Sequence, residues 1–237
     1  MNPQFYQSSV DEAVLPAGPN GIDVGSFLRS RNHREPSLKR PLDVILSFLM
    51  LVLSAPVSIL VAIAIKLEDG GPIFYRQQRW GRFGNPFSVL KFRTMIADAD
   101  QKFGLKQAEE NDQRITRMGR ILRATGLDEL PQIINILRGE MSFVGPRALA
   151  VGEIIYDEAG KRLEYEQVRG FIERLAVRPG LTSVATIFIP KDSTAQRKFR
   201  YDLLYIRKQS FGLDLHLIAL SFWISFRGKW ETRQKKL

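Results

Sequence analysis

The chain has 237 residues, enough for one or two domains with a sizeable core. The 35 Lys and Arg against 25 Asp and Glu give a formal net charge of +10, which points to an anionic partner: a phospholipid surface, a phosphorylated substrate or nucleic acid. Cysteine is absent and histidine occurs only at His33 and His216, so disulfides, thiolate metal sites and a cysteine nucleophile are excluded; enzymatic chemistry here would rest on carboxylates, cations and an oxygen-bound hard metal.

Residues 1–37 lack apolar periodicity and carry Pro3, Pro16, Pro19 and Pro36 with Gly18, Gly21 and Gly25, the composition of a flexible tail. Its basic end (Arg29, Arg31, Arg34, Lys39, Arg40) runs into 22 uncharged residues, 44–65. As a helix these extend about 33 Å, enough to cross a hydrocarbon core. A start some forty residues into the chain, with no small-residue cleavage site behind it, argues against a signal peptide. Pro56 removes a backbone donor at the centre and favours a kink, while Ser54 and Ser58 can satisfy freed backbone groups. Lys66, Arg76, Arg79 and Arg82 make the second flank basic too, so the positive-inside bias gives a spanning helix no orientation. A re-entrant hairpin with both ends on the cytoplasmic face accounts for the proline and for the flanks; a kinked spanning helix is the alternative.

Gly70-Gly71-Pro72 ends the block, and 73–80 and 87–94 read as two strands around a Gly84-Asn85-Pro86 turn. Arg76, Arg79, Arg82, Lys91 and Arg93 alternate with aromatics along this hairpin, either as a phosphate grip or as a solvated face beside anionic lipid. Residues 97–118 form a charged helix, and a second starts near Thr125, carries Leu130, Ile133, Ile134 and Leu137, and stops at Gly139. A loop at 141–147 leads to a Glu- and Arg-rich helix over 150–174, a Pro179-Gly180 turn and a β run over 181–189. Residues 194–208 are amphipathic. The apolar run 211–226, followed by Arg227, Lys229 and Trp230, suits an interfacial helix; a core helix with a basic tail is the plainer option. No Walker loop or dinucleotide fingerprint is present.

The most informative stretch is Thr125-Gly126-Leu127-Asp128-Glu129-Leu130-Pro131-Gln132, with two adjacent carboxylates at the start of a helix. Thr125 and Asp128 have capping-box spacing, so plain capping explains the composition; Pro131 is an expensive residue for a mere cap. A carboxylate beside a metal-binding carboxylate and several cations is a workable nucleophile on phosphorus, because the cations and the metal neutralise the diphosphate. Magnesium suits such a site.

A longer series of motifs carries a family resemblance. Lys39-Arg40-Pro41-Leu42-Asp43 precedes the apolar block and Ser54-Ala55-Pro56 lies within it. Gly71-Pro72-Ile73-Phe74-Tyr75-Arg76-Gln77, Lys91-Phe92-Arg93-Thr94-Met95 and Leu127-Asp128-Glu129-Leu130-Pro131-Gln132 follow. Asn135, Gly139-Glu140-Met141-Ser142, Val144-Gly145-Pro146-Arg147 and Arg178-Pro179-Gly180-Leu181-Thr182 come next. Tyr201-Asp202-Leu203-Leu204-Tyr205-Ile206 and Leu213-Asp214-Leu215 complete it. In this order, over residues 38–226, the chain resembles the bacterial sugar transferases, the monotopic phosphoglycosyl transferases that put a sugar phosphate on polyprenyl phosphate.

The resemblance implies an α+β, mainly helical fold: a flexible tail (1–37), a re-entrant membrane helix (38–69) broken at Ser54 and Pro56, and a catalytic domain (70–226). That domain would hold a small β-hairpin and interfacial amphipathic helices, with a basic C-terminal tail (227–237). It further implies an active site on the cytoplasmic face of the bacterial inner membrane. Asp128 would attack the β-phosphate of a UDP-sugar, UMP would leave, and polyprenyl phosphate would take the phosphosugar from the aspartyl intermediate, as the first membrane step of exopolysaccharide or O-antigen-type glycan assembly. Glu129 would hold Mg2+; Lys91, Arg93 and Arg147 would bind phosphates, and Arg178 the nucleotide end. A hexose phosphate (glucose or galactose) is the first expectation for the donor, an N-acetylated sugar the second. Ala148 stands where the family usually has proline, and Thr182-Ser183-Val184-Ala185-Thr186 where it usually has Thr-Gly then Ala-Gln; both bear on donor choice. The competing reading is a membrane-anchored basic scaffold without catalysis, against which the strict motif order argues. No nucleic-acid partner is expected, and the oligomeric state is left open, with a dimer one option.

Overall fold

In the computed structural model, which describes residues 35–99, 112–156, 162–190 and 193–226, the apolar block forms helix α1 (Lys39–Asp69). The helix runs unbroken across Ser54 and Pro56, unlike the expected break: proline deletes one donor but does not by itself end a helix. Among the described residues it alone is long and apolar enough to cross a membrane. Its middle is bare, with Phe48, Leu53 and Leu60 all about two-thirds exposed, whereas Lys39, Asp43 and Ser47 near one end and Val61 and Ile65 near the other are buried against the rest of the protein.

Both ends of α1 are bolted to that body by polar contacts. Lys39 Nζ, almost wholly buried, donates to Val144 O (2.8 Å), to the Tyr205 hydroxyl (3.2 Å) and to Asp214 (2.9 Å). Arg40 donates to Ile136 O and Leu137 O, and Asp43 accepts from Phe143 N–H and the Ser142 hydroxyl. At the far end Asp69 takes a two-pronged ion pair from Arg93, and Glu68 accepts from the backbone N–H groups of Arg117 and Met118.

The hairpin reads as expected: β1 (Phe74–Trp80) pairs antiparallel with β2 (Pro86–Phe92). Helix α2 (Arg117–Thr125) starts at Thr116, whose hydroxyl accepts from Gly119 N–H. It closes at Gly126, whose φ of 72° is a left-handed stop that glycine adopts at no steric cost. Thr125 therefore ends one helix rather than capping the next; its hydroxyl turns back to Ile121 O and Leu122 O. The acidic pair sits on a separate 3-10 turn, Leu127–Glu129, and α3 (Gln132–Arg138) begins after Pro131. Pro131 thus stands at the helix entrance, where a missing N–H costs nothing, which removes the puzzle of its position.

β3 (Ser142–Val144) pairs in parallel with a later strand, Gly180–Thr182. Two expectations fail beyond it. The segment read as one helix over 150–174 is a small hairpin, β4 (Ile154–Tyr156) with β5 (Arg162–Glu164), followed by the 3-10 turn Tyr165–Gln167 and the four-residue α4 (Phe171–Arg174). Tyr165, Val168 and Phe171 of this segment join the distant Trp80 and Phe199 in a core cluster that non-local packing creates and helical periodicity does not record. The β run expected over 181–189 stops at Thr182, the last residue of β6 (Gly180–Thr182), because Ser183 caps α5 (Val184–Phe188) by accepting from Thr186 N–H. Helices α6 (Ala195–Lys208) and α7 (Phe211–Phe226) follow the pattern predicted for them. The main core joins Val89, Ile136, Met141, Val144, Ile187, Tyr205 and Leu217, hence β2, α3, β3 and α5–α7. The expected tail lies outside the described residues up to position 34, as do the basic C-terminal tail and residues 100–111 of the segment expected as one charged helix over 97–118; its described residues 112–116 are turn and bridge, with Ile115 paired to Met95, and α2 begins only at Arg117.

Candidate active site

Three pieces of chain meet around the acidic pair. β2 supplies Lys91, the 3-10 turn supplies Asp128 and Glu129, and the loop after β3 supplies Arg147. Lys91 Nζ lies 2.9 Å from Glu129 Oε1 and 3.9 Å from Asp128 Oδ2, while Arg147 Nη2 lies 4.0 Å from Glu129 Oε1. Asn135 fixes the turn's helix to the hairpin: its amide donates to Ser88 O and Glu140, and its oxygen accepts from Leu90 N–H.

Arg147 is placed by its backbone. Gly145 N–H donates to Thr182 O, Gly180 N–H donates to Pro146 O, and Lys39 holds Val144 O. Arg174, in a buried ion pair with Asp202, donates to Arg147 O. The strands approach so closely that a Cβ on Gly145 would stand 2.3 Å from the Arg178 carbonyl oxygen. This contact explains the glycine of the Val144-Gly145-Pro146-Arg147 motif.

The environment separates the two carboxylates. Burial pushes the Asp128 carboxyl above the usual carboxylate range, and Lys91 and Arg123 offset this only in part. Burial also opposes the charge on Glu129, but Lys91, Arg147 and Arg79 together outweigh it and hold that carboxyl at about 2. Glu129 is a fixed anion locked to Lys91. Lys91 lies beyond hydrogen-bond distance of Asp128, whose charge is the less stabilised of the two.

Four of the expected site residues, Lys91, Asp128, Glu129 and Arg147, come together. Arg93 does not join them: its guanidinium is buried against Asp69, Pro72 O and Met95 O, and it ties the hairpin to the end of α1. Arg178 pairs with Glu35 and donates to Gly139 O, with Arg82 also near Glu35. Ser54 and Pro56 lie in the bare part of α1. Arg123 was missed in the sequence. Its Nε donates to Thr94 Oγ1 and its charge acts on Asp128. A cation in the last turn of a helix that ends just before the acidic pair was the available signal.

Among the described residues no cluster of three or more acidic or imidazole side chains forms a ready-made metal cage. Two carboxylates plus substrate phosphates are nevertheless an ordinary magnesium environment, and the surrounding Lys91, Arg147, Arg79 and Arg123 outnumber the carboxylates. The donor set therefore fits a cation that arrives with a diphosphate better than one that binds alone.

The structure thus presents a carboxylate pair of split basicity ringed by cations, in a chain that carries one helix long and apolar enough to cross a membrane. The bacterial sugar transferase family model matches residues 34–228, and the chain belongs to that family. It is 41% identical over 217 residues to the UDP-glucose:undecaprenyl-phosphate glucose-1-phosphate transferase of Klebsiella pneumoniae, covering 89% of this chain and 45% of that protein. The enzyme of the same name from Caulobacter vibrioides is 40% identical over 185 residues, 76% of this chain and 66% of its own length. The exopolysaccharide production protein PSS of Rhizobium leguminosarum bv. phaseoli is 41% identical over 186 residues, 76% of this chain and 91% of its own. The chain spans less than half the length of the Klebsiella relative.

Proposed function

We propose that this protein transfers a sugar-1-phosphate from a UDP-sugar to undecaprenyl phosphate, with glucose-1-phosphate the first candidate because the Klebsiella and Caulobacter relatives carry that activity in their names. The observation that carries the reading is the split pair: Glu129 clamped by Lys91 and Arg147, Asp128 buried beside it with a carboxyl that its surroundings push up. An Asp128 carboxylate oxygen forms a bond to the β-phosphorus of the donor, and the bond from that phosphorus to the bridging oxygen breaks. UMP departs with the electron pair. A phosphate oxygen of undecaprenyl phosphate then attacks the same phosphorus and releases the Asp128 carboxylate, leaving sugar-diphosphate-undecaprenol. Lys91, Arg147 and Arg123 lower the cost of bringing an anionic nucleophile to an anionic substrate. Glu129 would hold Mg2+, which supplies charge neutralisation to the diphosphate.

The anchoring of α1 supports a re-entrant placement, and the basic residues at both of its flanks favour the cytoplasmic face for the two ends and the site. A straight helix of 31 residues is about 46 Å long, yet Lys39 and Arg40 at one end and Asp69 at the other are all bonded to the same body. A helix crossing the bilayer would deliver those ends to opposite sides. The test is UMP release from a panel of UDP-sugars by detergent-solubilised protein with Mg2+ and undecaprenyl phosphate. Release with one sugar, dependent on acceptor and on Asp128, is expected; no release from folded protein across the panel contradicts the reading.

A further inference from the structure

Beside Glu129 lies a small cavity lined by Lys91 and Arg147 and also by Arg79, whose charge acts on Glu129, and by Gln132. Both carry a buried donor with no hydrogen-bond partner among the described residues: Nε of Arg79 and Nε2 of Gln132. Such orphans are costly, because a donor removed from water keeps its desolvation penalty until something accepts from it. Neither looks accidental. The other two guanidinium nitrogens of Arg79 are spent on Ala148 O and on Gln77 Oε1 (2.6 Å), an arrangement that fixes the plane of the fork and leaves Nε over. Gln132 is 4% exposed and is the first residue of α3, three positions after Glu129.

We propose that Arg79 Nε–H and Gln132 Nε2–H bind phosphate oxygens of a substrate, completing an oxyanion site that Lys91 and Arg147 begin. This inference rests on the proposed sugar-phosphate transfer, which brings phosphates from two sources: the donor's diphosphate and the head group of the polyprenyl acceptor. An oxyanion fits better than a neutral hydroxyl, since Arg79, Lys91 and Arg147 together bring three positive charges to the cavity against the one carboxylate of Glu129 that lines it.

The test uses full-length protein in nanodiscs and two variants, Gln132→Met and Arg79→Lys. Binding is read by calorimetry with UDP as the donor probe and undecaprenyl phosphate as the acceptor probe, alongside thermal melting without ligand. Gln132→Met removes an unsatisfied buried donor, so it should melt at or above the wild-type temperature while affinity for one probe falls about tenfold or more. Arg79→Lys keeps a charge but loses the fork, and should weaken the same probe. A purely structural glutamine would not give stability and affinity changes of opposite sign. Loss toward UDP assigns the donor; loss toward undecaprenyl phosphate assigns the acceptor. Wild-type affinity for both probes in a variant that keeps the wild-type melting temperature overturns the site. If both variants unfold, the donors are structural and the proposal is likewise overturned. Wild-type protein that binds UDP tightly yet releases no UMP from any UDP-sugar would contradict the transfer reaction and leave the phosphate site standing.

Discussion

Lys91 stands unequally between two neighbours: its ammonium is 2.9 Å from Glu129 and 3.9 Å from Asp128. That 1 Å difference accompanies a division of labour between adjacent carboxylates. Glu129 takes the hydrogen bond and the charge stabilisation, and Asp128 is left as the stronger base of the pair.

The first consequence is a trade between stability and function at Asp128. Its folded-state pKa is raised, so the ionised form is less favourable in the folded than in the unfolded chain, and the penalty is in force above the raised value. Asp128→Asn should therefore melt at or above wild type at neutral pH while turnover falls by about a thousandfold or more. Thermal melting and UMP release on the same preparation check both signs.

A pH profile follows from the same split. With Asp128 as the proposed nucleophile, turnover requires its ionised form, so kcat/KM should fall as pH drops through the raised Asp128 value, above the ordinary aspartate range near 4. Glu129, held at about 2, stays charged across that interval and adds no limb of its own. An acid limb at or below an ordinary aspartate value would contradict the assignment.

Lys39 and Asp214 form an ion pair in which each side chain is at most 2% exposed. Breaking such a pair by removing one partner costs about 3–5 kcal/mol, whereas an apolar double replacement is often neutral. Lys39→Met alone should lower the melting temperature severely, and Lys39→Met with Asp214→Leu should recover much of it. Equal melting of the single variant and wild type would show that the pair does not hold α1 in place.

Gly145→Ala should uncouple Arg147 from the site, since the added carbon would stand 2.3 Å from the Arg178 carbonyl oxygen and the loop must shift. Steady-state kinetics should show a rise in KM for the UDP-sugar together with a fall in kcat; unchanged kinetics would mean that the loop does not position Arg147.

The absence of cysteine makes the placement of α1 directly measurable. Leu38→Cys and Leu67→Cys, at exposed positions beside and near the ends of the helix, should both react with an impermeant maleimide from the cytoplasmic side only. Labelling of one from each side would establish a spanning helix.

Much of this site was legible in the sequence because its chemistry is local. Asp128 and Glu129 are adjacent, Lys91 and Arg147 lie in tight motifs, and the long apolar run makes one helix. What was not legible came from distant packing. Arg93 looks as cationic as Lys91, two residues away and on the same face by strand alternation, but β2 ends at Phe92 and Arg93 meets Asp69 whereas Lys91 meets Glu129. The Lys39-Arg40-Pro41-Leu42-Asp43 motif, polar residues at the start of a long apolar helix, resolves into bonds to Asp214, Ile136 O and Phe143 N–H, partners about a hundred residues or more away in sequence. The misread helix over 150–174 has the same origin: its charged residues suit a helix, and the aromatic cluster around Phe171 decides otherwise.

The central claim is that Asp128 carries the phosphosugar. Intact-mass spectrometry of the protein incubated with Mg2+ and its UDP-sugar, without polyprenyl phosphate, tests it most directly. The expected result is a mass gain of one sugar phosphate, located on Asp128, absent from Asp128→Asn and discharged on adding undecaprenyl phosphate. An active protein that never gains this mass, or a variant that gains it without Asp128, would contradict the account.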